Sequence, residues 1–150
     1  MPTDLRESHN PEQCARAWYG LRMAHNAIAG RLESALREAC DLSLHEFDAV
    51  LHLRLDRDSG VRLQDLQTAV PLSQPALSRL VARLVDRGIV ERSPAPDDGR
   101  SLNLRLTPAG DDIATRAITV HAETVAAAIA NRLDPARQAE LLTLLDAIAR

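Results

Sequence analysis

The stretch "LSQPALSRLVARLVDRGIVERS", residues 72–93, decides the fold. Ser73 is a favoured helix N-cap, Pro75 suits a first turn, and Gly88 suits the position just past a helix end. One face of this helix is apolar and is formed by Leu77, Leu80, Val81, Leu84 and Val85. The opposite face has no large apolar group to bury and carries Pro75, Ser78, Arg79, Ala82 and Arg83.

A shorter helix precedes this one. The segment "VRLQDLQTAV", residues 61–70, has apolar residues at helical spacing and ends before Pro71. A turn of about three residues separates the two helices, which is the spacing of a helix-turn-helix. We therefore expect a helix-turn-helix over about residues 63–87.

Two short strands follow the second helix. The segments "IVERS" (89–93) and "SLNLRL" (101–106) both alternate between apolar and polar residues. A two-stranded ribbon is not stable alone, so it must pack on the helix-turn-helix beside it. This arrangement is a winged helix, with the wing at about residues 89–106.

The loop between the two strands is open to two interpretations. Asp97 and Asp98 beside Gly99 are compatible with a metal-binding loop, or with a hairpin turn that holds Arg100 at its tip. The flanking strands favour the hairpin turn. Asp98 then lies close enough in sequence to bond the guanidinium of Arg100 and fix its direction.

Two helices are expected before the winged helix. Residues 11–40 have no internal proline and show helical periodicity, which predicts one long helix. Ser43 followed three residues later by Glu46 is a capping box. It predicts the start of a second helix that ends near Asp56.

Residues 107–150 predict two more helices, separated by a break before Pro135. Both contain apolar runs, "VAAAIANRL" at 125–133 and "LLTLLDAIA" at 141–149. Such faces need covering, and pairing two copies of the chain across a two-fold axis would cover them. We expect a homodimer whose two helix-turn-helix units address the half-sites of a pseudo-palindromic duplex.

The composition fits one soluble domain of 150 residues, with 45% hydrophobic and 26% charged residues. The fold class is mainly α with a small β-hairpin: a winged-helix lobe at 43–106 between dimerisation helices at 11–40 and 107–150. No apolar run approaches the roughly 18 residues of a membrane helix, and no signal peptide is evident, so we expect a cytoplasmic protein without a membrane partner. The net charge is −3, but residues 62–105 contain seven arginines against five acidic residues.

Other kinds of chemistry have weaker support. The sequence contains no G-x-S-x-G, P-loop, H-E-x-x-H or C-x-x-C motif, so we expect no enzyme and no cofactor. Two alternatives remain open: a redox sensor at Cys14, and a metal sensor formed by three residues on one helical face, His45, Asp48 and His52. A winged helix that binds protein instead of DNA would require an apolar recognition face, whereas this one carries arginines.

The chain resembles the MarR family of bacterial transcription regulators over nearly its whole length. The resemblance rests on "LSLHEFDAVLHL" at 42–53, "RLVARLVDRGIVER" at 79–92, the D-x-R pattern at 98–100 and the L-T-x-x-G pattern at 106–110. It implies a triangular dimer whose recognition helices enter the major groove of DNA, while a wing arginine enters the minor groove. It also implies a regulator that more often represses than activates.

The expected DNA contacts follow from this placement. Base edges and phosphates would be met by the first turns of the recognition helix and by its arginines, namely Ser73, Gln74, Pro75, Ser78, Arg79 and Arg83. In the wing, Arg100 suits a narrow minor groove and Asp98 would orient it.

Four residues match a Trp–Asp–Arg–Arg set that resembles the urate-responsive subgroup of MarR proteins: Trp18, Asp48, Arg79 and Arg92. This resemblance implies a small anionic or aromatic effector between the dimerisation and DNA-binding lobes. A ring would stack on Trp18 and an arginine would pair with its charge. Occupancy would then shift the recognition helix and lower DNA affinity. The alternative is a structural ion pair between Asp and Arg, with Trp18 as a core aromatic.

Overall fold

The computed structural model describes residues 10–94 and 102–150 of the chain. The elements follow one another in the order α1 (Pro11–Cys40), α2 (Leu44–Leu55), β1 (Val61–Arg62), α3 (Leu63–Ala69), α4 (Gln74–Asp86), β2 (Val90–Pro94), β3 (Leu102–Leu106), α5 (Pro108–Ile129) and α6 (Pro135–Ala149). The structure is mostly helical with a small antiparallel sheet, so the predicted fold class is confirmed. In the described part of the chain, no helix is both long enough and apolar enough to cross a membrane.

The helices begin where the capping residues predict. The Ser43 hydroxyl accepts from the backbone N–H of Glu46 at 3.1 Å, and the Glu46 carboxylate accepts from the N–H of Ser43 at 2.8 Å. Ser73 likewise caps α4 by accepting from the N–H of Ala76. These bonds satisfy N–H groups that have no partner inside the helix, and so they fix the first residue of α2 and of α4.

The strand β1 was not predicted. Val61 pairs with Leu104 and Arg62 pairs with Asn103, so the sheet has three antiparallel strands in the order β1-β3-β2. A strand of two residues is too short to show the alternation that identifies strands in a sequence. It connects the sheet directly to α3, because Leu63 begins that helix.

The core lies beneath α4. Its largest fully buried side chains come from α1, α2, α3, α4 and the adjoining turns, and include Leu36, Phe47, Leu53, Leu66, Leu77, Leu80, Leu84 and Ile89. Burying each such side chain contributes about 1.5–3 kcal/mol. The apolar face of α4 is thereby held inward, and its other face is left at the surface.

The wing and α5 meet at a tight corner. The Thr107 hydroxyl donates to the carbonyl of Gly88 at 2.6 Å and accepts from the N–H of Gly110 at 3.0 Å. The backbone of Gly110 passes so close to Ile89 that a Cβ would collide with the Ile89 carbonyl group. This close approach explains the glycine of the L-T-x-x-G pattern and fixes the direction in which α5 leaves the wing.

Candidate nucleic-acid interface

The N-terminal half of α4 presents a polar surface. Ser73, Gln74, Pro75 and Arg79 are exposed, and Ser78 is half-buried at the edge facing the sheet. The first turn of α4 contains no acidic residue. The positive end of the helix dipole and its free N–H groups are therefore available to an anion such as a phosphate.

Arg83 lies one turn after Arg79 on the same side of α4 and, although it is exposed, it has a partner within the protein. Its Nε is 3.6 Å from the Oε1 of Glu46, and Nη1 of Arg87 is 3.6 Å from Oε2 of the same carboxylate. This internal ion pair was not predicted from the sequence, which placed Arg83 among the DNA contacts. Arg79 has the exposure that the prediction requires, whereas the guanidinium of Arg83 is turned toward α2.

The wing is an antiparallel hairpin with the predicted strands. Val90 pairs with Leu106 at its base and Pro94 pairs with Leu102 at its far end. Both strands lead to the segment that contains Asp98 and Arg100, and these two residues lie outside the described part of the chain. Their predicted roles in the minor groove stay predictions.

A cavity of about 310 Å³ lies between α4 and the sheet. Its lining is mostly apolar, with one hydroxyl and one guanidinium group: Leu63, Ser78, Val81, Arg92 and Leu104. Apolar walls with a few placed polar groups are typical of small-molecule sites. Arg92 would supply the positive charge for an anionic ligand at this position.

The four predicted effector residues lie in three places of one protomer. Arg92 lines the cavity beside α4, and Arg79 is exposed on α4 itself. Trp18 is 64% exposed and lies against α6, so it is not a core aromatic. Asp48 is half-buried on α2, with its Oδ2 3.9 Å from Nδ1 of His45.

The surroundings of Asp48 shift the pKa of its carboxyl group. Burial raises the pKa of its carboxyl group, and the nearby His45 and His121 oppose that rise. His121, on α5, stacks on Phe47 of α2 with ring centroids 4.7 Å apart. In the described residues the side chain nearest to the Asp48 carboxylate is a histidine, and the structural pair with an arginine, which was one of the two alternatives for Asp48, is not seen there.

A second apolar surface lies at the chain ends. None of the residues of α6 is buried, and Leu142, Leu144 and Ile148 are exposed. Between α1 and α6 is an apolar groove of about 610 Å³, lined by Cys14, Ala17, Trp18, Gly20, Leu21, Ala24, Leu141, Leu144, Leu145 and Ile148. An apolar groove of this kind marks a binding surface.

Comparison with known proteins agrees with this geometry. Residues 41–101, which hold α2, the helix-turn-helix and most of the wing, match the model described as the MarR family. The winged helix of this chain is therefore similar to that of the MarR family. The MarR match ends inside the wing and spans the predicted recognition surface of α4.

Individual relatives extend the similarity to nearly the whole chain. YkoM, an HTH-type transcriptional regulator of Bacillus subtilis, is 27% identical over 142 residues, which cover 94% of this chain and 91% of YkoM. Sco3205, a MarR family transcriptional regulator from Streptomyces coelicolor solved in complex with DNA, is 23% identical, with a TM-score of 0.81 over 95% of this chain and 92% of its own. BpsR of Bordetella bronchiseptica, whose regulation of DNA binding involves 6-hydroxynicotinic acid, is 19% identical, with a TM-score of 0.76 over 99% and 98%.

The residues of the alternative metal and redox sites have separate surroundings in the structure. Nδ1 of His45 is 3.9 Å from Oδ2 of Asp48, and Nε2 of His52 is 4.0 Å from Oδ2 of Asp56, so the two histidines of the alternative metal set face different carboxylates. In residues 10–94 and 102–150, no group of three or more His, Cys, Asp or Glu side chains is placed to hold a metal ion. Cys14 is an exposed free thiol at the α1–α6 groove.

Two acidic residues at the corner between α1 and α2 were not predicted as part of the site. Glu33 of α1 accepts from the backbone N–H of Leu44 at 2.6 Å and from Nε of Arg37 at 3.0 Å. The hydrogen bond from Leu44 holds the pKa of Glu33 below its usual value. Glu46 was read from the sequence only as half of a capping box, since its partners on α4 are some forty residues away.

Proposed function

We propose that this protein is a DNA-binding transcriptional regulator of the MarR family that binds duplex DNA with α4 in the major groove. The observation that carries the proposal is the N-terminal half of α4, where Arg79 is exposed beside a helix N-terminus free of acidic residues. The antiparallel wing beside α4 supports a second contact along the duplex. A winged helix that docks on protein is less well supported, because this face is polar.

The regulator acts as a homodimer in this proposal. The uncovered faces of α1 and α6 support pairing with a second copy, since an identical chain brings an identical apolar surface. A two-fold axis would place two copies of α4 on one side of the duplex, about one helical turn apart. The target would then be a pseudo-palindromic operator, and we propose repression on the family resemblance.

Replacing Arg79 with alanine should weaken binding to a duplex selected by the wild-type protein from a random pool. We expect a loss of about 10- to 100-fold, because an arginine that reads a base edge contributes about 1–3 kcal/mol. Fluorescence anisotropy with a labelled duplex measures the affinity, and a series of salt concentrations measures its electrostatic part.

Arg31 provides the matched control for this measurement, since it is an exposed arginine on α1, away from α4. Arg31→Ala should leave the affinity within about twofold, a change of less than 0.5 kcal/mol. Equal losses for the two variants would contradict the placement of α4 in the groove, and so would an unchanged affinity for Arg79→Ala.

We also propose that an anionic aromatic ligand releases the protein from DNA. The cavity between α4 and the wing supports this step, because Ser78 and Arg92 offer a hydroxyl and a positive charge among apolar walls. A ligand there would contact the recognition helix directly and would favour one of its orientations over another. The regulation of BpsR by 6-hydroxynicotinic acid supports the class of ligand, and urate is a further member of that class.

Replacing Arg92 with glutamine should raise the ligand concentration needed for release by at least about tenfold, the effect of losing about 1.4 kcal/mol of ligand affinity. The measurement is DNA release followed by anisotropy during titration with urate, salicylate or 6-hydroxynicotinate. Trp18→Phe is the control, because Trp18 lies at the α1–α6 groove. A response lost in Trp18→Phe but kept in Arg92→Gln would place the ligand at that groove, and no release by any of the three anions would refute the proposal.

A further inference from the structure

Glu46 carries a buried charge that its role in the helix cap does not require. Its side chain lies in the first turn of α2 and the residue is 3% exposed. The carboxylate accepts one hydrogen bond, from the N–H of Ser43, and completes the capping box. A glutamine at this position caps a helix equally well. The negative charge therefore needs another explanation.

The charge faces the C-terminal half of the recognition helix. Each oxygen of Glu46 is 3.6 Å from an arginine nitrogen, one on Arg83 of α4 and the other on Arg87, the C-cap residue of that helix. Arg87 also donates to the carbonyl oxygen of Asp41 at 2.7 Å. A buried carboxylate is costly without charged partners, and these two pairs attract both guanidinium groups toward α2, although the side chain of Arg83 stays 58% exposed.

The corner that Glu46 belongs to is itself fixed to α1. Glu33 of α1 accepts from the N–H of Leu44, the first residue of α2. Polar contacts therefore lead from α1 through the start of α2 to the last turns of α4. Glu33 thus anchors the corner to α1, whereas Glu46 joins that corner to the end of α4.

We propose that Glu46 is a positioning residue for DNA binding, which fixes the end of α4 and holds Arg83 and Arg87 away from the phosphate backbone. The proposal rests on the DNA-binding function proposed above. Arginines that reach phosphates strengthen binding to any sequence, since this contribution does not depend on the bases. Glu46 thus favours selective binding by leaving Arg79 exposed on α4 while it engages the two other arginines.

Glu46→Gln tests this role, because the amide keeps the cap and the shape of the side chain but removes the charge. We expect tighter binding to a random-sequence 24-base-pair duplex, with a slope of log affinity against log salt that is steeper by about one to two units, at about 0.9 per phosphate contact. The ratio of affinities for the selected and the random duplex should fall at least about tenfold. An unchanged slope and ratio would overturn the proposal.

Two controls separate positioning from general stability. Glu33→Gln alters the same corner without touching α4, so it should lower Tm and leave the affinity ratio unchanged. In a background of Arg83→Gln with Arg87→Gln, the addition of Glu46→Gln should no longer change the slope, because the pairs it breaks are already absent. An undiminished effect of Glu46→Gln in that background would refute the proposal.

Amide hydrogen exchange tests positioning without DNA. In Glu46→Gln the amides of residues 80–87 should exchange faster, while those in the middle of α5 keep their rates. If Glu46→Gln does not fold, Arg83→Gln takes its place and should make the amides of residues 80–87 exchange faster. Unchanged exchange rates at these amides would overturn the proposal. Failure of the wild-type protein to bind either duplex would refute the proposed function, and the exchange rates would still decide whether Glu46 positions α4.

Discussion

Replacing Gly110 with alanine should lower the free energy of unfolding by about 3 kcal/mol, which corresponds to a fall in Tm of about 10 °C. The added Cβ would collide with the carbonyl group of Ile89, a backbone group that cannot rotate away. Relief of the collision requires α5 to move away from the wing, and this movement would break the bonds that Thr107 donates to the carbonyl oxygens of Gly88 and Ile89. Thermal unfolding followed by circular dichroism measures the effect.

The same substitution at Gly30 should have the opposite effect. Gly30 lies within α1, and a Cβ there would meet no atom within 4 Å. Alanine is the better helix former by about 1 kcal/mol, so Gly30→Ala should raise Tm by a few degrees. If Gly110→Ala melts at the wild-type temperature, the close approach of α5 to Ile89 does not exist in solution.

The helices could be predicted from the sequence because their signals are local. Ser43, Glu46 and Ser73 cap helices through bonds to residues at most three positions away. The strand β1 could not be predicted in this way, because Val61 gains its partner Leu104 only in the folded sheet. The collision that requires glycine at position 110 is likewise a contact between two elements.

The candidate site could be predicted only in part, for the same physical reason. Helical periodicity places Arg79 opposite the apolar face of α4, and the structure shows it exposed there. Periodicity cannot show that Arg83 faces a carboxylate from α2, since that pair joins residues 37 positions apart. The surroundings of Trp18 could not be predicted either, because the sequence does not show whether its ring contacts a ligand, the protein core or another helix.

The position of Trp18 leads to the question of what covers α6. An isolated helix shorter than about 12–15 residues is marginal in water, and α6 is close to that limit with none of its residues buried. Leu144 is 56% exposed and lines the groove that contains Trp18. A partner chain that fills this groove would stabilise α6 and cover its leucines. We therefore expect that the apolar side chains of α6 in this groove stabilise both the dimer and the helical structure of α6.

Replacing Leu144 with aspartate should convert the proposed dimer to monomers at micromolar concentration. A two-fold interface contains Leu144 twice, so one substitution removes about 4 kcal/mol of apolar burial and raises the dissociation constant about 1000-fold. Sedimentation velocity over a range of concentrations measures the dissociation. DNA affinity should fall with it, because the two half-sites are no longer bound by linked recognition helices. Leu55 is an exposed leucine at the end of α2, so the control variant Leu55→Asp should leave the proposed dimer intact. If Leu144→Asp still sediments as a dimer, the α1–α6 groove is not the dimer interface.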